Sequence, residues 1–197
     1  MLPTNHQPAS RPAAMVSLRS IQLDDGPRLQ AFMQSLSDES RYFRFMDAIR
    51  ELPPRLLRYF IEIDVETDLA LVAVIQPENE GEVIVGVARY YGDDDGQSCE
   101  FAIAVADAWH HHGIGQQLML ALLEGAAHQN YRRIHGEVMA ENQAMLHLMH
   151  HLGFTVRTCR EDAMLKCVER DVPPLAMVGR PGLSTGTGGR PNPCTRA

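Results

Sequence analysis

The chain has 197 residues, 45% of them hydrophobic, and carries a formal net charge of −7 at pH 7. That length suits one folded domain with short tails, and the acidic balance argues against nucleic acid as a partner. No apolar run approaches the ~20 residues needed to span a bilayer, and the opening M-L-P-T-N-H-Q-P lacks the regions of a secretory signal, so no membrane partner and a cytoplasmic location are expected.

Residues 1–14 are rich in Pro, Ala and polar side chains and read as a flexible arm. Met15 to Gln22 reads as a first strand. Asp24 and Asp25 are placed to cap a helix that carries Leu29, Phe32 and Met33 on one face. S-L-S-D-E-S-R-Y-F-R-F predicts a turn and a second short helix, and Pro53 and Pro54 start a third. Leu69 to Ile75 and Glu82 to Tyr91 have strand length and composition, with P-E-N-E-G-E and G-D-D-D-G as the turns after them.

From Cys99 to Val105 large and small residues alternate. Cys99, Phe101, Ile103 and Val105 fall on one face of a strand, Glu100, Ala102 and Ala104 on the other. Gly113 and Gly115 follow, and behind them Ile114, Leu118, Ala121, Leu122 and Gly125 recur at helical spacing. A glycine loop that opens a helix is an anion site, because unpaired N–H groups and the helix dipole both point at the ligand. It is not a P-loop, since no G-K-[ST] follows Gly115. It is not a dinucleotide fingerprint either, since the third glycine is missing. R-R-I-H-G-E-V-M then reads as a strand, N-Q-A-M-L-H-L-M-H-H as a helix, and Thr155–Arg160 with Ala163–Val168 as a closing hairpin. From 171 onward Pro, Gly, Ser and Thr dominate and predict a disordered tail. The order β-α-α-α-β-β-β-α-β-α-β-β, hairpins leading into one crossover, implies a mixed α/β (α+β) fold with a mostly antiparallel sheet flanked by helices.

Several residues admit a plain reading beside a chemical one. Cys99, Cys159, Cys167 and Cys194 are scattered without a C-x-x-C pair and are expected as reduced thiols. His110, His111 and His112 point in different directions as consecutive residues, so they do not suit a single metal ion. His147 and His151 have i,i+4 spacing but fit the polar face of their helix. No metal is expected.

W-H-H-H-G-I-G resembles the pyrophosphate loop Q/R-x-x-G-x-G/A of the GNAT superfamily of N-acetyltransferases. It matches at Gly113 and Gly115 and departs at His110. G-E-V-M-A-E-N-Q-A-M-L, ending in L-G-F, is similar to the superfamily's next strand and helix. L-R-S-I-Q-L-D-D, S-L-S-D-E-S-R-Y-F-R-F and C-E-F-A-I-A-V-A-D-A-W extend the likeness, over residues 15–168, to the acetyltransferase domain of bacterial Pat-type protein lysine acetyltransferases.

The resemblance implies a GNAT-type fold over 15–170 and transfer of an acetyl group from acetyl-CoA to an amine. A protein lysine comes first as acceptor; a small amine, or an acyl-CoA sensor without catalysis, are the alternatives. It makes Glu100 the general base, set among apolar residues where desolvation would favour taking up a proton. It assigns the cofactor to backbone groups of Ile103, Ala104 and Val105, to the loop His110, His111, His112, Gly113, Ile114, Gly115 and Gln116, and to Asn142, whose other reading is a helix cap. Met149 stands where many members have a tyrosine proposed to protonate the leaving thiolate.

Overall fold

The structure, a computed structural model, describes residues 15–45, 49–78 and 80–174. The N-terminal arm, Cys194 and all but the first four residues of the expected tail lie outside the described residues. Twelve regular elements follow the expected order: β1 Ser17–Ser20, α1 Gly26–Ser35, α2 Asp38–Phe45, α3 Pro54–Ile61, β2 Leu69–Ile75, β3 Val83–Gly92, β4 Ser98–Val105, α4 Ile114–His128, β5 Arg133–Met139, α5 Gln143–His151, β6 Thr155–Thr158 and β7 Leu165–Asp171. They form one seven-stranded sheet in the order β1-β2-β3-β4-β5-β7-β6, in which only β4 and β5 run parallel. The last strand runs past the boundary expected at 170. Asp171 ends β7, and Val172 is buried with its N–H donating to the Arg132 carbonyl at 2.8 Å.

The alternation read from the sequence decides which helices cover which face. Cys99, Phe101 and Ile103 of β4 pack with Ile114, Leu118 and Leu122 of α4 and with Leu146 and Met149 of α5. On the other face Val72, Val74 and Ile84 pack under Leu29, Phe32 and Met33 of α1 and against residues of α3. α4 comes close to the sheet because Gly125 has no side chain. A Cβ there would stand 2.4 Å from Leu69 Cδ2.

Two expectations are corrected. Asp25 does not cap α1 with its side chain. Its fully buried carboxylate accepts from Arg19 Nη1 at 2.6 Å and Nη2 at 2.8 Å, from Arg28 Nη1 at 3.1 Å and from the Gln22 N–H at 2.8 Å. A buried carboxylate gains more from two guanidinium partners than from one orphan N–H of a helix start. Cys159 and Cys167 are not separate thiols. The β6–β7 hairpin brings their Cα atoms to 5.2 Å, and they form a disulfide. A spacing of eight residues hides a contact that the hairpin register creates. Cys99 is free and buried, and burial pushes its thiol up to about 12.

The Asp25 cluster ties β1, the start of α1 and Glu82 together, since Arg19 also donates to Glu82 at 2.7 Å. The Arg19 guanidinium holds the Asp25 carboxyl below the usual carboxylate range against the opposing effect of burial. A depressed carboxyl contributes stability above its unfolded pKa of about 3.9, and loses it as pH falls through the folded value. Asp25→Asn should therefore lower unfolding stability at pH 7 by about 3 kcal/mol, the lower end of what breaking a buried ion pair costs. The gap between native and variant should narrow below about pH 4. Urea denaturation at pH 7 and pH 3 checks both.

Candidate active site

The site starts from a break in the sheet. β4 and β5 are paired only at Ser98–Arg133, Cys99–Ile134 and Glu100–His135. Beyond that point β4 continues against β3 alone, and β5 continues against β7 alone. Gly136 marks the last close approach, since a Cβ there would stand 3.1 Å from the Phe101 carbonyl. Past it the two parallel strands part.

The β3–β4 ladder shows which backbone groups face the opening. The Asp93 N–H donates to the Ser98 carbonyl, and the Ala106 N–H donates to the Val85 carbonyl, both at 2.9 Å. The register is unbroken between them. In an antiparallel ladder alternate residues turn both N–H and C=O to the same neighbour. Glu100, Ala102 and Ala104 therefore bond to β3, and Ile103 and Val105 turn their backbone groups to the gap. Of the three residues expected to offer backbone to a pantetheine arm, Ile103 and Val105 face it and Ala104 does not.

At the far end of the gap stands the start of α4. Its first helical hydrogen bond runs from the Gln117 N–H to the Gly113 carbonyl at 3.0 Å. The N–H groups of Ile114, Gly115 and Gln116 thus precede the helical ladder, and no side chain caps them. They form an anion cradle. The two glycines work differently. Gly113 has φ +78° with open space where a Cβ would be, so it makes the turn. Gly115 is helical, and a Cβ there would meet Leu148 Cδ2 of α5 at an ordinary 3.4 Å, so the position sits where α4 faces α5.

The histidines fold back on the loop. His110 Nε2–H donates to the Val105 carbonyl at 2.9 Å, and His112 Nδ1–H donates to the His110 carbonyl at 2.7 Å. His111 is exposed at φ +62°. The rings of His110 and His112 thus brace the loop, which leaves the backbone N–H groups as its fixed anion donors. Asn142 takes its plain role: its Oδ1 accepts from the Met145 N–H at 3.0 Å and caps α5. Met149 is fully buried in the core. Among the described residues, one group of possible metal ligands comes within 4.8 Å, Glu137 with Cys159 and Cys167, and both sulfurs are spent on the disulfide.

Glu100 is the last β4 residue paired to β5, so its side chain stands where the gap begins, on the α1–α3 face. It is exposed, not enclosed by apolar groups as its neighbours in sequence suggested. The alternation of β4 explains the difference, because those neighbours point to the other face. Tyr91 lies directly across on β3. Asp107, which the sequence reading passed over, fixes this side. It accepts from the Ser37 N–H at 2.8 Å, Ser37 Oγ at 2.6 Å and Ser40 Oγ at 2.8 Å, tying the start of α2 to the end of β4. An Asp two residues past a strand, one Ser just before a helix and another in its first turn were its only signals.

A backbone-lined gap, an N–H cradle at one end and an exposed carboxylate at the other suit a long anionic donor and a nucleophile that needs a base. Comparison with known proteins agrees. The model of the acetyltransferase (GNAT) family matches residues 29–154. An acetyltransferase of Pseudomonas aeruginosa is 31% identical over 148 residues, 75% of this chain and 79% of that protein. The acetyltransferase Pat of Mycolicibacterium smegmatis is 32% identical over 142 residues, 72% of this chain but only 41% of that protein's length. Among solved structures the GNAT domain of the S. lividans PAT superposes with a TM-score of 0.71 at 24% identity, over 79% of this chain and 90% of that one.

Gly113→Val should weaken CoA binding by more than about tenfold while the circular dichroism spectrum is kept, because a β-branched residue resists φ near +78°. Calorimetric titration with CoA reads the outcome, and unchanged affinity would remove this loop from the phosphate site.

Proposed function

The chain belongs to the GNAT family of acetyltransferases, and on that premise we propose that it acetylates lysine side chains of proteins with Glu100 as general base. As an N-acetyltransferase it uses acetyl-CoA as donor, which supplies an acetyl group activated as a thioester. The likeness of residues 15–168 to Pat-type protein lysine acetyltransferases supports lysine as acceptor. The place of Glu100, exposed at the point where β4 and β5 part, is the observation that carries the assignment of the base.

The chain's own groups divide the work. The N–H groups of Ile114, Gly115 and Gln116 hold the pyrophosphate at the helix start. The Ile103 backbone groups and the Val105 N–H align the pantetheine arm as a further strand would be aligned, the Val105 carbonyl being held by His110, with the loop residues His110 to Gln116 around its end and the Asn142 side-chain amide beyond. A donor on this edge can also bond the carbonyl oxygen where charge develops.

A lysine amine has a reference pKa of about 10.4, so holding it neutral at pH 7 costs about 4–5 kcal/mol. Glu100 removes that proton as the C–N bond forms and the C–S bond breaks, directly or through one water. The sulfur keeps the bond's electron pair. With Met149 buried and unable to donate, solvent at the exposed mouth protonates it.

Glu100→Gln keeps the size and the hydrogen-bonding reach of the side chain but not its basicity. Turnover at neutral pH should fall by about 10²–10⁴-fold with CoA affinity unchanged. The assay is acetyl transfer from labelled acetyl-CoA to lysine-containing protein, read by mass spectrometry. Wild-type rates in the variant would exclude Glu100 as base. Tight acetyl-CoA binding without transfer to any amine would make the protein a sensor.

A further inference from the structure

The face of the sheet that carries Glu100 also holds two arginines, and among the described residues no carboxylate forms an ion pair with either. Arg89 of β3 is 6% exposed. One of its terminal nitrogens donates to the Phe60 carbonyl at 2.9 Å, and its guanidinium carbon lies 4.6 Å from the Phe60 ring centre and 4.8 Å from that of Tyr91. Its Nε has no acceptor. Arg44 of α2, half-buried, reaches the same Phe60 ring at 5.9 Å and lies over Phe45 at 4.8 Å. Both arginines line a cavity of about 30 Å³, together with Val87, Ala102 and Ala104. The Tyr91 hydroxyl, across the ladder from Glu100, is buried and also has no partner.

Burial and then the like charge of Arg89 push the Arg44 guanidinium down to about 10, and burial lowers Arg89 as well. Packing on aromatic rings accounts for the position of Arg89 but not for an unpaired Nε, an unpaired hydroxyl and two desolvated like charges together. Glu100 lies within electrostatic reach of Arg44 but forms no ion pair with it. A planar carboxylate matches the fork of a guanidinium and would answer both arginines at once.

We propose that Arg44 and Arg89 form an anion subsite that receives a carboxylate carried by the acceptor, on the same face as the Glu100 that deprotonates its amine. This rests on reading the Glu100 face as the acceptor side. It narrows the acceptor to an amine that carries an acidic group nearby. The carboxylate comes from an acidic residue flanking a target lysine, or from the carboxyl group of a free amino acid.

Product binding to the CoA complex of the full chain separates these sources and needs no turnover. Two acetyl-lysine peptides that differ only by Glu or Gln beside the modified residue form one pair. An N-acetyl amino acid and its carboxamide form the other. Calorimetry should show the carboxylate member of one pair binding about tenfold or more tightly, the usual size of a charge-assisted hydrogen bond. The pair that shows the preference identifies the source. Arg44→Gln, chosen because Arg44 is less buried than Arg89, should erase the preference, and Arg44→Lys should keep part of it. CoA affinity should stay within about twofold in both, since Arg44 lies outside the donor gap.

Equal affinities within both pairs, no binding by either carboxylate ligand, or a preference that survives Arg44→Gln would each overturn the subsite. Acetyl transfer that persists without charge preference would sink the subsite alone, whereas loss of transfer to every amine would sink the enzymatic reading.

Discussion

The structure depends on two parallel strands that fail to stay paired. β4 and β5 share three register pairs and then separate, and this leaves unpaired backbone inside a sheet. Open backbone donors and acceptors at a sheet's interior are costly unless something pairs with them. A ligand arm that behaves as an added strand would meet that demand. Gly136 keeps the strands close up to the parting, and the start of α4 closes the far end with N–H groups.

Because the strand alternates, β4 serves two chemistries without conflict. Cys99, Phe101 and Ile103 anchor α4 and α5, so the anion cradle is held by the main core and does not depend on loop order. Glu100, Ala102 and Ala104 face the other way. There small side chains leave space under α1–α3, and the charged groups gather: Glu100, Arg89 from the neighbouring strand and Arg44 from α2. Asp107 joins the two sides by pinning the start of α2 to the end of β4.

Much of this was legible in the sequence. Period-2 alternation at 99–105, the glycine loop at 113–115 and the apolar spacing behind it are local patterns, and local patterns decide element type and order. What the sequence hid is what long-range register creates. The disulfide of Cys159 and Cys167 needs the hairpin. The exposure of Glu100 needs to be known from the face it shares, not from its neighbours in the chain. The turning of Ala104 toward β3 needs the ladder. Arg89 and Arg44 are 45 positions apart and read singly as ordinary charges on a strand and a helix. His110 and His112 bond nearby backbone carbonyls, while His111 stays exposed, and that division of the three rings depends on the turn of the loop.

The central claim is that the gap between β4 and β5 is the donor slot. Site-resolved amide hydrogen exchange with and without CoA tests it most directly. The account predicts slowed exchange on CoA binding at Ile103 and Val105, and at Ile114, Gly115 and Gln116, with little change at Ala104, which already bonds to β3. Unchanged exchange at Ile103 and Val105 with CoA bound, or protection confined to other strands, would contradict it.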